Sequence, residues 1–155
     1  MQELLVSLAA RVGVTVTDVQ DEHDRWQVYA QAVNSDDCAD LLLEAVGLEP
    51  DLNVALSVVL RKLEVVPQAD RQRWVDGLTG DIQRQFAARR AAELPVLETR
   101  PLAPSLQKGI EQEWSDWLQL RLAESSPERD VISRLSRTGR TKRIRRTAAE
   151  RLKRR

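Results

Sequence analysis

Reactive side chains are scarce in this sequence. Its 155 residues include one cysteine, Cys38, and one histidine, His23. A lone cysteine excludes an internal disulfide framework and a cysteine-cluster zinc site. Zinc asks for three or four ligands with nitrogen or sulfur donors among them, and the chain hardly supplies these. His23 lies in Asp21-Glu22-His23-Asp24, but adjacent residues on a helix point in different directions and cannot share one ion. Cys38 sits in Asp36-Asp37-Cys38-Ala39-Asp40, where surrounding acids disfavour the thiolate. Neither a Ser/His nor a Cys/His nucleophile pair has support, and no glycine-rich phosphate loop is present. The expectation is a non-enzymatic protein with no catalytic residue, no metal and no cofactor. No apolar run approaches the ~20 residues a membrane span needs; the longest candidate, Val54 to Leu60, reads as a core helix. Met1-Gln2-Glu3 lacks the basic start and cleavage site of a secretory signal, so the expected location is the cytoplasm, with no membrane partner.

What the chain has in quantity is charge, and the charge is segregated. Lys and Arg number 24 and Asp and Glu number 24, so the formal net charge is zero. Residues 134–155 nevertheless hold eleven bases and one acid, Glu150. Residues 12–53 hold ten acids and one base, Arg25. A hydrophobic share of 42% with 31% charge is ordinary for a folded domain. Such charge asymmetry points to a polyanionic partner or to head-to-tail self-contact.

Apolar spacing is helical nearly throughout. Leu4, Leu5, Leu8 and Val12 mark a helix over about 2–12. Thr17-Asp18-Val19-Gln20 reads as a capping box for a second, with Val19, Trp26, Tyr29, Ala30 and Val33 as its stripe. Val12, Val14 and Val16 alternate as a strand would, without a partner. Ser35 or Asp36 caps a third helix ending at Gly47. A fourth, about 51–65, is apolar on most sides and is expected to be covered all round. A fifth holds Trp74, Val75 and Leu78; a sixth, Ile82 to Leu94, turns Ile82, Phe86, Ala87 and Ala91 inward. Residues 95–104 carry three prolines and form a linker between an acidic helical part, 1–94, and a C-terminal part, 105–155, the whole being expected to make one continuous domain. There, helices are expected over about 105–124, from Ser126-Pro127-Glu128 to Gly139, and from Thr141 onward. The fold class is all-α, about nine short helices.

Helix pairs joined by brief turns suggest a short α-solenoid. Arg25-Trp26, Arg73-Trp74 and Asp116-Trp117 each enter an apolar stripe at spacings close to the ~40–47 residues of helical repeats. Ile144-Arg145-x-x-Ala148-x-x-x-Leu152, preceded by Val131-Ile132-x-x-Leu135, Leu122-Ala123-Glu124 and Pro127, resembles the HEAT and leucine-rich-variant repeats over about residues 120–152. The usual Asp of the turn is replaced by Thr138-Gly139-Arg140-Thr141-Lys142. The resemblance implies a right-handed α-solenoid that binds proteins or nucleic acids and is seldom an enzyme.

On a wheel of the last helix, Ala148 and Leu152 fall at about 40° and 80° from Ile144, a narrow apolar seam. Lys142, Arg146 and Lys153 lie opposite, and Arg143, Arg145 and Arg154 flank the seam. The candidate polyanion site is Arg140, Lys142, Arg143, Arg145, Arg146, Arg151, Lys153, Arg154 and Arg155. Cations at that density match phosphates along a nucleic-acid backbone. No aromatic residue lies between 134 and 155, so base stacking is not offered. An acidic protein surface, including residues 12–53 of a second copy in a homo-oligomer, is the alternative partner, and a solvated, frayed tail with no partner is the bland one. Leu8-Ala9-x-x-Val12-Gly13-Val14 resembles a helix-turn-helix, but the helix to follow carries four acids and no base, which phosphates would repel. Trp114 and Trp117 with Asp116 could form a groove of the sort used by HEAT-like DNA glycosylases; core packing is the more frequent use of such a pair.

Overall fold

The structure, a computed structural model, describes residues 1–99, 102 and 113–154. Among these lie nine α-helices and no strand: α1 (Gln2–Val12), α2 (Glu22–Ala32), α3 (Ala39–Leu48), α4 (Leu52–Val65), α5 (Arg71–Asp76), α6 (Asp81–Glu98), α7 (Asp116–Ser125), α8 (Arg129–Thr138) and α9 (Lys142–Lys153). The chain forms two units, Met1–Ala92 and Glu93–Arg155. The boundary falls inside α6, so the start of the expected linker, residues 95–98, is helical and Pro95 lies within the helix.

In the first unit α4 packs on α2, α3 and α5, burying Val54, Ala55, Val58, Val59 and Leu63. It is not covered all round as expected: Asn53, Ser57, Arg61 and Glu64 form an exposed polar stripe. Asp51 starts this helix by accepting the Asn53 and Val54 amides. The expected capping box at Thr17 is absent. The Asp24 carboxylate instead accepts the backbone N–H of Thr17 (2.8 Å) and Asp18 (2.9 Å). These side-chain bonds hold 17–21 as a turn, and α2 opens four residues later on Asp21. Gly13 ends α1 with φ 69°, a left-handed conformation suited to glycine. The nine residues between α1 and α2 exceed a helix-turn-helix connection. A 3-10 turn, Asp36–Cys38, precedes α3 in place of a Ser35 or Asp36 cap, and Gly47 lies inside that helix. Ile82 and Phe86 face solvent, against expectation; on that helix Ala87 is the fully buried position.

A buried ion pair anchors this unit. Arg25 donates to Glu49 through Nε (3.2 and 3.1 Å) and Nη2 (3.0 Å), and to the Gln20 carbonyl through Nη1 (2.7 Å). The Tyr29 hydroxyl (2.8 Å) and the Asp51 amide (3.1 Å) also donate to Glu49. The hydrogen bonds to Glu49 raise the Arg25 pKa. Burial, with the hydrogen bond to Glu49, pushes the Tyr29 hydroxyl upward. Lys62 is buried too, its Nζ 2.7 Å from the Val33 carbonyl and 5.5 Å from the Trp74 ring centre.

In the second unit Leu102, Trp114, Leu118, Leu122, Val131, Ile132, Leu135, Ile144 and Ala148 make one core, with Trp117 and Leu152 at its margin. The helix expected over 105–124 is described only from its cap: Ser115 accepts the Leu118 amide and α7 starts at Asp116, while 105–112 fall outside the described residues. Ser126 ends α7 rather than opening α8, its hydroxyl accepting the Glu128 amide. α8 therefore opens at Arg129, past Pro127.

Two outcomes follow. Glu49→Ala strands a buried guanidinium and should lower stability by about 3–5 kcal/mol in urea unfolding followed by tryptophan fluorescence; an unchanged midpoint would contradict it. The amides of Asp18 and then Thr17 hold the Asp24 carboxyl below its ordinary value of 3.8. A pKa lowered on folding stabilises above the unfolded value and is lost as pH falls through the folded one. Amide protection at Thr17 and Asp18, corrected for intrinsic rates, should therefore drop as pH falls below the ordinary carboxylate value; constant protection refutes this.

Candidate polyanion-binding surface

The site begins with the closure of one turn. Gly139 ends α8, and Thr141 starts α9 by accepting the Ile144 amide at 3.2 Å. A side chain at Gly139 would put its Cβ 2.6 Å from both Ile144 Cγ2 and the Leu135 carbonyl oxygen. Glycine thus lets α9 lie close on the end of α8. Ile144 and Ala148 are buried on α7 and α8 and Leu152 is half-buried, so the expected seam faces inward.

The nine candidate cations then divide. Arg140 is tied to the start of α7: Nη1 lies 3.0 Å from Asp116, Nη2 2.8 Å from the Trp114 carbonyl, and its backbone N–H donates to Gln119. Arg145 donates to the Gly139 carbonyl at 2.6 Å, where cations offset the negative end of α8. Arg151 donates to the Ala123 carbonyl in the last turn of α7 at 3.3 Å. Arg146 sits 3.7 Å from Glu150, an exposed pair one turn apart of a kind worth roughly 0.3–0.5 kcal/mol. Lys142, Arg143, Lys153 and Arg154 are exposed and make no hydrogen bond or ion pair among the described residues. Arg155 lies outside those residues. Arg137, in the last turn of α8, is exposed beside the same turn; a wheel drawn for one helix could not include it, though its place three residues before Arg140 was the available signal.

No acid occupies the first turn of α9, where Lys142 and Arg143 stand. Two cations at the positive end of a helix cost a few tenths of a kcal/mol each. The arrangement is poor for the helix and suited to an incoming anion.

The other candidates are placed elsewhere. Trp114 lies in the turn before α7 and Trp117 within it, so the two indoles do not share a helix face. His23 meets Gln27 at 2.8 Å, and Cys38 is buried. Among the described residues no three His, Cys, Asp or Glu side chains gather closely enough to hold a metal ion. No helix there is long and apolar enough to cross a membrane. No protein-family model, curated protein or solved structure matches the chain.

Arg140→Ala should cost about 1–3 kcal/mol, whereas Arg143→Ala should stay within about 0.5 kcal/mol of the parent. Thermal unfolding of the two variants checks this; equal losses would contradict the division of roles.

Proposed function

We propose that this chain is a non-catalytic helical binding module of the cytoplasm that docks nucleic acid through the solvent face of α9. The observation that carries the reading is the outward set Lys142, Arg143, Arg146, Lys153 and Arg154, held on a helix whose apolar seam is already buried. Glu150 is the single carboxylate on that helix. Phosphates neutralise such a face and release their counterions. With no aromatic between 134 and 155, recognition rests on charge and is largely independent of base sequence. In this proposal α8 and α9 act as one HEAT-like hairpin of a short right-handed solenoid, supported by the three-residue turn 139–141 and by Val131, Ile132, Leu135, Ile144 and Ala148 sharing one core. Arg140, Arg145 and Arg151 shape the surface rather than grip the ligand.

The second reading, an acidic protein surface, draws on the exposed acids of the first unit, among them Asp18, Glu22, Asp36, Asp37 and Glu44. A second copy could present them.

Fluorescence anisotropy with labelled DNA at several salt concentrations tests the first reading. The logarithm of affinity should fall linearly with log salt, by about 0.9 per phosphate contacted. Arg143→Glu with Arg146→Glu should weaken binding about tenfold or more. No binding at low salt removes the reading, and a salt-sensitive oligomer in light scattering favours the second.

A further inference from the structure

We infer that α9 takes a double-stranded nucleic acid, each end of the helix gripping one of the two phosphate strands; this rests on the reading above. The outward cations recur as a pattern. Lys142 and Arg143 open the helix, and Lys153 and Arg154 close it, each eleven residues further on. Eleven residues are three turns to within about 20°, so the pairs emerge on the same side, about 16 Å apart along the axis.

The middle of the helix is unsuited to phosphate. Thr147, Ala148 and Ala149 bring no charge, and the exposed carboxylate of Glu150 comes next, 3.7 Å from Arg146. A single strand laid along α9 would carry a phosphate past Glu150, like charge against like. Two separate phosphate rows avoid it. The duplex supplies such rows: its major groove is ~12 Å wide between phosphate surfaces, so the phosphorus atoms flanking it lie several ångströms further apart, close to the span of the two cation pairs.

What α9 lacks agrees with this. Single-strand binders add aromatic platforms for bases, and α9 has none. Its apolar residues Ile144 and Ala148 are buried, so they cannot wedge between bases or enter a lipid surface in the manner of a basic amphipathic helix. A phosphate beside Lys142 and Arg143 also relieves the like charge at the start of the helix.

The test is anisotropy on the full chain at one low salt concentration, with three probes: a duplex of about two turns, its separate strands, and polyglutamate. The duplex should bind about tenfold or more tighter than either strand and than polyglutamate. Lys142→Glu with Arg143→Glu, and separately Lys153→Glu with Arg154→Glu, should each lower duplex affinity about tenfold or more and reduce the salt slope by about two. All four positions are exposed, and Glu in a first turn favours a helix, so unchanged thermal unfolding should accompany the loss. Lys153→Gln with Arg154→Gln serves the far end if the reversal there disturbs folding. Strands binding as tightly as the duplex, or either paired variant keeping full duplex affinity, overturns the two-strand grip while the nucleic-acid reading stands. Polyglutamate binding as tightly as the duplex overturns both in favour of an acidic protein, and no binding to any probe overturns both outright.

Discussion

Ile144 and Ala148 lie against the core of the second unit with almost no surface left to water, and that contact decides where every charge on α9 can point. Fully burying an isoleucine contributes about 1.5–3 kcal/mol. Repulsion between exposed like charges one turn apart is worth about 0.2–0.5 kcal/mol and is screened by salt. Packing wins, so a helix with six bases in twelve residues still holds one rotation. The absent side chain of Gly139 belongs to the same contact. Arg140, Arg145 and Arg151 reinforce it by donating to carbonyls before or at the ends of neighbouring helices. Cations on the inner half are consumed in holding the helix, and those on the outer half face solvent.

The first unit solves a different electrostatic problem. Its surface is acidic, and the one base of residues 12–53, Arg25, is buried rather than spent neutralising that surface. It is bound to the carboxylate of Glu49, which also receives Tyr29 and the Asp51 amide. Each nitrogen of Arg25 and each carboxylate oxygen of Glu49 has a partner, the condition under which a buried ion pair is tolerated. The same network joins α2 to the junction of α3 and α4, so it fixes geometry as well as charge.

Much of the architecture was legible because periodicity is a local signal. The helices around Leu5, Val58, Ile132 and Ile144 appear where apolar spacing puts them, and so does the inward seam of α9. Helix starts were read less well, since short polar side chains have several competing uses. Thr17 and Ser126 resemble caps in sequence, yet Asp24 claims the Thr17 amide and Ser126 closes a preceding helix. Ile82 and Phe86 are apolar at helical spacing and still face water, because period alone does not say which stripe of a helix meets a neighbour. Within the site, composition found the cations but could not divide them. Arg143 and Arg145 both flank the seam on a wheel; what separates them is the Gly139 carbonyl lying in reach of Arg145, a contact made across the turn.

The most direct measurement is a titration of the protein with duplex DNA, followed through the arginine Nε–Hε resonances. The expected result is that Arg143, Arg146 and Arg154 shift progressively and recover on adding salt, while Arg140 and Arg145 stay in place. Shifts led by Arg140 and Arg145, or no shift on α9 at saturating duplex, would contradict the division of the helix into a held half and a binding half.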